Sequence, residues 1–377
     1  DQYMAELLEE MRMLQSIYNS VQQHGCISTE ISPGENQSGW KKRKLASAES
    51  SGLTMDHYAA GCADPFLNEM DTLFRQLPYA HGFSPDSWQV ITDVEILKKA
   101  GVYDVELMRT IQLMQSEFNM NNKKLGRDVM AFAEKHAALA PEQFGSRKHH
   151  QSVHAALNKR LTMDLLRQLR QAGALCSNDA KSCYDRIVHC IAAIALRRLG
   201  MAAAPIQSML VTLQKAKHHV STAFGISATS YGSRRATPLQ GIGQGNGAGP
   251  AIWAVISTVM IAVMASHGHG FNILSALSLS LVSFVCYAFV DDTDVVHSAS
   301  STSISGEQVI TEMQVILDRW GGVLRATGGA LVPKKSYWYA IDFRWTGTKW
   351  VYRSIDDMPG EILITGVDGV RVILQRY

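Results

Sequence analysis

Acidic residues are absent from one long part of this chain: between Arg186 and Val290 there is not one Asp or Glu. Charge is sparse elsewhere too. Charged residues make up 19% of the 377 positions against 46% hydrophobic ones, which excludes disorder of the whole and suits two or three folded lobes. No CxxC pair occurs among Cys26, Cys62, Cys176, Cys183, Cys190 and Cys286, so neither a disulfide scaffold nor a zinc knuckle is indicated. Free thiols imply a reducing, intracellular compartment, nucleus or cytoplasm. The chain opens at Asp1 without a Met or a basic-then-apolar leader, and a piece of a longer polypeptide is expected. A formal net charge of +2 offers no overall attraction for a polyanion, so nucleic acid would have to be recognised by a local arrangement of charge.

The acid-free segment provides one. It carries Arg186, Arg197, Arg198, Lys215, Lys217, Arg234 and Arg235, with Asp179 and Asp185 before it and Asp291, Asp292 and Asp294 after it. A cationic surface bracketed by two anionic clusters suits a polyanion held beside metal ions. A buried, Ala-rich core lacking acids is the competing reading. The apolar runs Ala251 to Ala265 and Phe271 to Val290 read as a buried helix followed by a buried strand pair, with no membrane span.

Residues 4–24 have the pattern of an amphipathic helix, and residues 26–54, rich in Ser and Gly, that of a linker. Lys41-Lys42-Arg43-Lys44 reads either as a nuclear-localisation patch or as a solvated loop. Residues 57–175 are mostly helical in pattern, with a turn near Lys98 to Asp104. His149, His150 and His154 contain an i, i+4 pair suited to zinc but lack a third ligand. Cys176, Cys183 and Cys190 are expected to be small buried residues.

Asp179 follows the apolar run Ala174-Leu175-Cys176, so a carboxylate is expected at a strand end, before a helix that Gly200 terminates. Phe289-Val290-Asp291-Asp292-Thr293-Asp294-Val295-Val296 reads as a hairpin whose turn carries adjacent acids. Grouping three aspartates is costly unless cations neutralise them, and two magnesium ions about 3.5–4 Å apart are a common arrangement for phosphoryl transfer. A helix follows, with Ser305 and Gln308 at its start and Gly321-Gly322 as terminator. Gly243-Gln244-Gly245-Asn246-Gly247-Ala248 formally fits a dinucleotide-binding loop, but no acid follows before Asp291 to hold a ribose, and that reading fails.

Asn178-Asp179-Ala180-Lys181-Ser182-Cys183-Tyr184-Asp185 resembles the first palm motif of reverse transcriptases. Gln240 to Pro250, with Gln244-Gly245, is similar to the second, Phe289-Val290-Asp291-Asp292 to the third, and Gly328 to Ser336 to the lysine-bearing fourth. Lys99-Ala100-Gly101 with Arg109-Thr110-Ile111, and Gln143-Phe144-Gly145-Ser146-Arg147, resemble fingers blocks. The likeness covers roughly residues 85–350, and a weaker one reaches back to about Trp40; it is greatest to retrotransposon-type, non-LTR-like enzymes. Departures are Gly243 before Gln244, Thr110 in the fingers block and Val290 in the third motif.

The resemblance implies an α+β fold, a right-hand polymerase with an antiparallel palm sheet carrying the carboxylates and helices packed behind. It divides the chain into an extension over 1–56, fingers over 57–172 with part of 201–238, and palm over 173–377, with the thumb absent or truncated. It implies RNA-directed DNA polymerase activity on RNA template, DNA primer and dNTPs, within a longer retroelement polyprotein. Asp179, Asp291 and Asp292 with the Ala180 carbonyl would bind two Mg²⁺ ions, with Mn²⁺ as a substitute. Lys99 and Arg109 would hold the triphosphate, Gln244 and Gly245 would lie at the nucleotide, and Lys335 would protonate pyrophosphate, with Lys334 as an alternative. Tyr184 would exclude a ribose 2′-hydroxyl. An inactive or co-opted palm that binds nucleic acid, and an RNA-dependent RNA polymerase, are the alternatives.

Overall fold

Strand β3 (Gly173–Asn178) is the centre of the sheet that positions the acidic residues. The structure, a computed structural model, describes residues 2–21, 27–41, 52–275 and 278–377, and it is a mixed α+β fold. It divides into two units, formed by the described parts of Asp1–Met13, Ala137–Arg186 and Trp253–Tyr377, and of Leu14–His136 and Ile187–Ile252. Residues 137–172, expected with the N-terminal lobe, therefore group with residues 253–377.

In the first unit the sheet order is β16 (Gln375–Arg376), β11 (Tyr337–Ile341), β3, β10 (Asp292–Ser298) and β9 (Cys286–Phe289), antiparallel except for the β16–β11 edge. Successive side chains alternate between faces. Leu175 and Val296, paired across β3 and β10, share one face and pack with Met163 and Leu166 of helix α6 (Ser152–Leu169). Cys176, Val295 and Trp338 point the other way and are equally buried, where helix α11 (Gly306–Ala326) lies against the same strands. Ser305 caps α11 through the Gln308 amide. The helix does not stop at Gly321-Gly322: the Tyr3 ring lies where a Gly322 side chain would stand, so the pair serves packing.

Helix α10 (Gly249–Ser266) is long and apolar enough to cross a membrane, but 78% of that stretch is buried in the protein. The strand pair expected after it exists as β7 (Phe271–Leu274) and β8 (Leu281–Phe284), yet it is not buried. Phe271 and Phe284 pack at its base, while Leu274 and Leu281 near the tip are 61% and 68% exposed. Among the described residues, Phe271, Ile273 and Phe284 pack on the core, and the apolar Leu274 and Leu281 beyond them stay exposed. Two more hairpins, β12 (Phe343–Trp345) with β13 (Trp350–Tyr352) and β14 (Leu363–Thr365) with β15 (Arg371–Ile373), follow the sheet.

In the second unit β1 (Val90–Leu97) pairs antiparallel with β2 (Met108–Leu113) and parallel with β4 (Lys217–Thr222), which carries the short strands β5 (Gly225–Ile226) and β6 (Tyr231–Gly232). These strands interrupt a region expected to be mainly helical. The β-branched run Val-Ile-Thr-Asp-Val of β1 favours the pleated conformation. Around them stand α3 (Met55–Gly61), α4 (Pro65–His81), α5 (Ser116–Lys135), α8 (His189–Arg198) and α9 (Ala203–Lys215). Helix α1 (Gln2–Val21) matches expectation.

The expected linker instead contains helix α2 (Pro33–Lys41). Asn36 Nδ2 and Trp40 Nε1 both donate to Asp71 Oδ2 at 2.7 Å, and Trp40 stacks on Tyr58 at 4.5 Å. Burial pulls the Arg75 guanidinium, which also bonds Asn36, down to about 10. These partners lie far along the chain, so a local reading could not supply them. Cys26 and Lys42 to Lys44 of the basic patch lie outside the described residues.

Candidate active site

The β3–β10 register brings the acids together. Asn178 pairs with Thr293, so Asp179, the residue after β3, falls opposite Asp292 at the start of β10. Alternation places both on the Leu175–Val296 face, where Met163 and Leu166 of α6 pack on Leu175 and Val296 while Asp292 stays exposed. Phe289 pairs with Asp292, leaving Val290 and Asp291 as the two-residue turn between β9 and β10.

The three carboxylates act on one another. Partial burial raises the Asp291 carboxyl above its ordinary value, and the charges of Asp292 and Asp179 push it the same way; a backbone amide and Lys335 oppose them. Asp292 is raised by desolvation and then by Asp179 and Asp294, again against Lys335. Asp294 is set apart by the Lys159 ammonium of α6 at 2.7 Å. Lys335, on the short turn Pro333–Lys335, places Nζ 2.8 Å from Asp179 Oδ2. That oxygen is buried and lacks a well-aligned hydrogen bond, so the contact is chiefly Coulombic.

Ala180 forms an isolated bridge with Leu331. The hydrogen bonds flanking it run from Lys181 N to Ala330 O at 2.8 Å and from Val332 N to Asp179 O at 2.9 Å, so the bridge leaves the Ala180 carbonyl unused. Tyr184 lies on the single-turn helix α7 (Cys183–Arg186), with its hydroxyl pushed up by burial and hydrogen-bonded to Ser146. Asp179, Ala180, Tyr184, Asp291, Asp292 and Lys335 thus all belong to the first unit.

The remaining candidates belong to the second. Lys99 is exposed in the turn after β1, and Arg109 is exposed on β2 opposite Ile96, so both lie on one hairpin. The Gln244 carbonyl accepts from Gln112 N at 2.7 Å, and the Gly245 carbonyl accepts from Asn119 Nδ2 at 2.9 Å. A side chain on Gly245 would meet the Gln112 carbonyl at 2.4 Å, so β2 itself requires this glycine. Lys215, Lys217 and Arg234 of the acid-free segment line an open cavity of about 490 Å³ with Gln89, Gln214 and Tyr231. His154 caps α6 and His150 meets the Lys148 carbonyl, so both make backbone contacts. Cys176 and Cys183 are buried as expected, whereas Cys190 is exposed.

Sequence reasoning missed the closeness of Gln143 to Ser146 to the acidic turn. Gln143 bridges Ala288 of β9: Phe144 N donates to Ala288 O at 2.7 Å and Ala288 N to Glu142 O at 2.9 Å. The run Gln-Phe-Gly marks a turn near an extended segment, but nothing local says which strand it joins.

Among the described residues no cluster of three or more His, Cys, Asp or Glu side chains forms a ready-made metal cage. Magnesium rarely uses one; it is held by one or two carboxylates and completed by substrate phosphates and water. The unbonded Asp179 oxygen, the desolvated Asp291 and the exposed Asp292 fit that hard, oxygen-only chemistry. No protein-family model matches the chain, and no curated protein matches it significantly.

Proposed function

We propose that the protein is an RNA-directed DNA polymerase of a retroelement, adding dNTPs to a primer 3′-hydroxyl, and that the first unit contains its palm. The observation that carries the reading is the placement of Asp179 opposite Asp292, with Asp291 in the adjoining turn, on the incompletely covered face of an antiparallel sheet. The order of the palm-like sequence motifs supports it.

Two Mg²⁺ ions, replaceable by Mn²⁺, would be held by Asp179, Asp291, Asp292 and the Ala180 carbonyl, and when bound would activate the primer hydroxyl and neutralise the leaving pyrophosphate. Lys335 exchanges its contact with Asp179 for the pyrophosphate and donates its Nζ proton there. The Tyr184 ring, with its hydroxyl beside Ser146, takes the space a ribose 2′-hydroxyl needs. Lys99 and Arg109 are assigned to triphosphate oxygens, and Gln244 and Gly245 to the nucleotide, by the resemblance alone. The nucleic-acid backbone would engage the cationic residues of the acid-free segment. Other domains of a polyprotein, and a nuclear or cytoplasmic location, belong to the same proposal.

The test is primer extension on poly(rA)/oligo(dT) with Mg²⁺, comparing dTTP with UTP and wild type with Asp291→Asn. Extension with dTTP alone, lost in the variant, supports the reading. Incorporation of UTP moves the protein to the RNA polymerases, and salt-sensitive template binding without extension makes it a binding palm.

A further inference from the structure

We infer that Gln143 is a positioning residue that holds the Asp291-Asp292 turn in its working conformation; the inference rests on the function proposed above. Val290, the first residue of that turn, has φ +61°, in the left-handed region that β-branched side chains avoid. Asp291 is not left-handed, so the turn has the type II′ pattern of φ signs, in which glycine is the usual first residue. A valine left to itself there would relax toward extended backbone. Relaxation would swing the peptide joining Val290 to Asp291 and redirect both carboxylates.

What opposes relaxation is specific. Gln143 is fully buried, and its carboxamide takes both backbone groups of Val290: Oε1 accepts from Val290 N at 3.1 Å and Nε2 donates to Val290 O at 3.2 Å. The carboxamide is itself fixed, since Oε1 also accepts from Gly145 N at 2.8 Å and Nε2 donates to Ser257 Oγ at 3.0 Å. Trp253 Nε1 donates to the same Val290 carbonyl at 2.6 Å. Gly145 lets the segment come this close, because a Cβ there would stand 2.1 Å from Val290 N. The next residue, Ser146, bonds Tyr184, so one short segment braces both the carboxylate turn and the residue assigned to sugar selection. Gln143 touches no reacting atom; it acts through Val290.

The test compares wild type with Gln143→Leu, Val290→Gly, the double variant and Trp253→Phe. Three readouts are taken: exchange of the Val290 amide, Mn²⁺ affinity, and kcat and KM for primer–template. In Gln143→Leu the Val290 amide is expected to exchange at least about tenfold faster and Mn²⁺ to bind more weakly, with kcat down by roughly tenfold to a hundredfold and KM little changed. Trp253→Phe should move the same way by less. The double variant should recover most of the lost kcat, because glycine adopts the left-handed conformation without the clamp; a general packing defect would not be repaired by that second change. Wild-type kcat and Mn²⁺ affinity in Gln143→Leu, or no recovery in the double variant, overturn the inference. Should Gln143→Leu fail to fold, Trp253→Phe with and without Val290→Gly decides by the same readouts. If wild type extends no primer, the polymerase reading fails, while amide exchange and Mn²⁺ affinity still decide the role of Gln143.

Discussion

Lys335 Nζ stands 2.8 Å from Asp179 Oδ2, and the two side chains differ sharply in exposure, 66% for the lysine and 18% for the aspartate. The carboxylate is held by the sheet while the ammonium is free to leave. Such a pair contributes little to folding, because the exposed partner is screened and loses side-chain entropy in the contact. Lys335→Ala is therefore expected to lower stability by less than about 1 kcal/mol. It should slow nucleotide addition by about 10²-fold, as for loss of a general acid. It should also tighten Mn²⁺ binding, because a competing cation is gone. Thermal melts, single-turnover extension and Mn²⁺ titration check the three expectations; weaker Mn²⁺ binding would show that Lys335 supports the site instead.

Asp291 and Asp292 have carboxyls raised above the ordinary 3.8, chiefly by desolvation. A group whose folded value is raised favours the folded state most when protonated, and that contribution is lost as pH rises through the folded value. At pH 7 both charges oppose folding. Asp291→Asn should accordingly raise stability at pH 7 by up to about 1 kcal/mol while abolishing extension, and the gain should vanish as pH falls toward the ordinary carboxylate value. Added Mg²⁺ should raise the Tm of wild type more than that of the variant. Denaturation followed across pH, with and without Mg²⁺, is the measurement, and an unstable Asp291→Asn protein would contradict it.

Tyr184 is partly buried, with its hydroxyl beside Ser146. Tyr184→Ala is expected to admit UTP, reducing the preference for dTTP by about 10²-fold, the scale at which small steric differences are discriminated. Competitive incorporation on poly(rA)/oligo(dT) reads the ratio, and an unchanged ratio would remove Tyr184 from sugar selection.

Asn36 joins Asp71, Asn68 and Arg75 in a buried polar network of the second unit, with Nδ2 2.7 Å from Asp71 Oδ2 and 3.0 Å from Asn68 Oδ1. Asn36→Ala leaves those groups short of partners and should cost about 1–3 kcal/mol. Urea unfolding measures the loss, and a change within error would show that water replaces the amide.

The strand-turn-strand around Asp291 and the strand end before Asp179 were legible because alternation and turn residues act over a few positions. So were α1, the buried α10 and the start of α11. Helix α2 was not, because Asn36 and Trp40 find their partners at Asp71 and Arg75 only after distant segments pack. The β7–β8 pair was misjudged as buried because its composition resembles a core strand pair, although Leu274 and Leu281 are exposed. The resemblance puts Gly245 at the nucleotide, and only the fold shows the Gln112 carbonyl of β2 standing where a Gly245 side chain would be.

By itself the amino-acid sequence determined which residues are acidic, that a strand leads into Asp179, and that a turn between two strands carries Asp291, all consequences of side-chain chemistry at short range. Only the tertiary structure decided that Asp179 stands opposite Asp292, that Lys335 reaches Asp179, and that Gln143 grips Val290. These depend on strand register and on close approach between segments far apart in the chain, which no local pattern encodes.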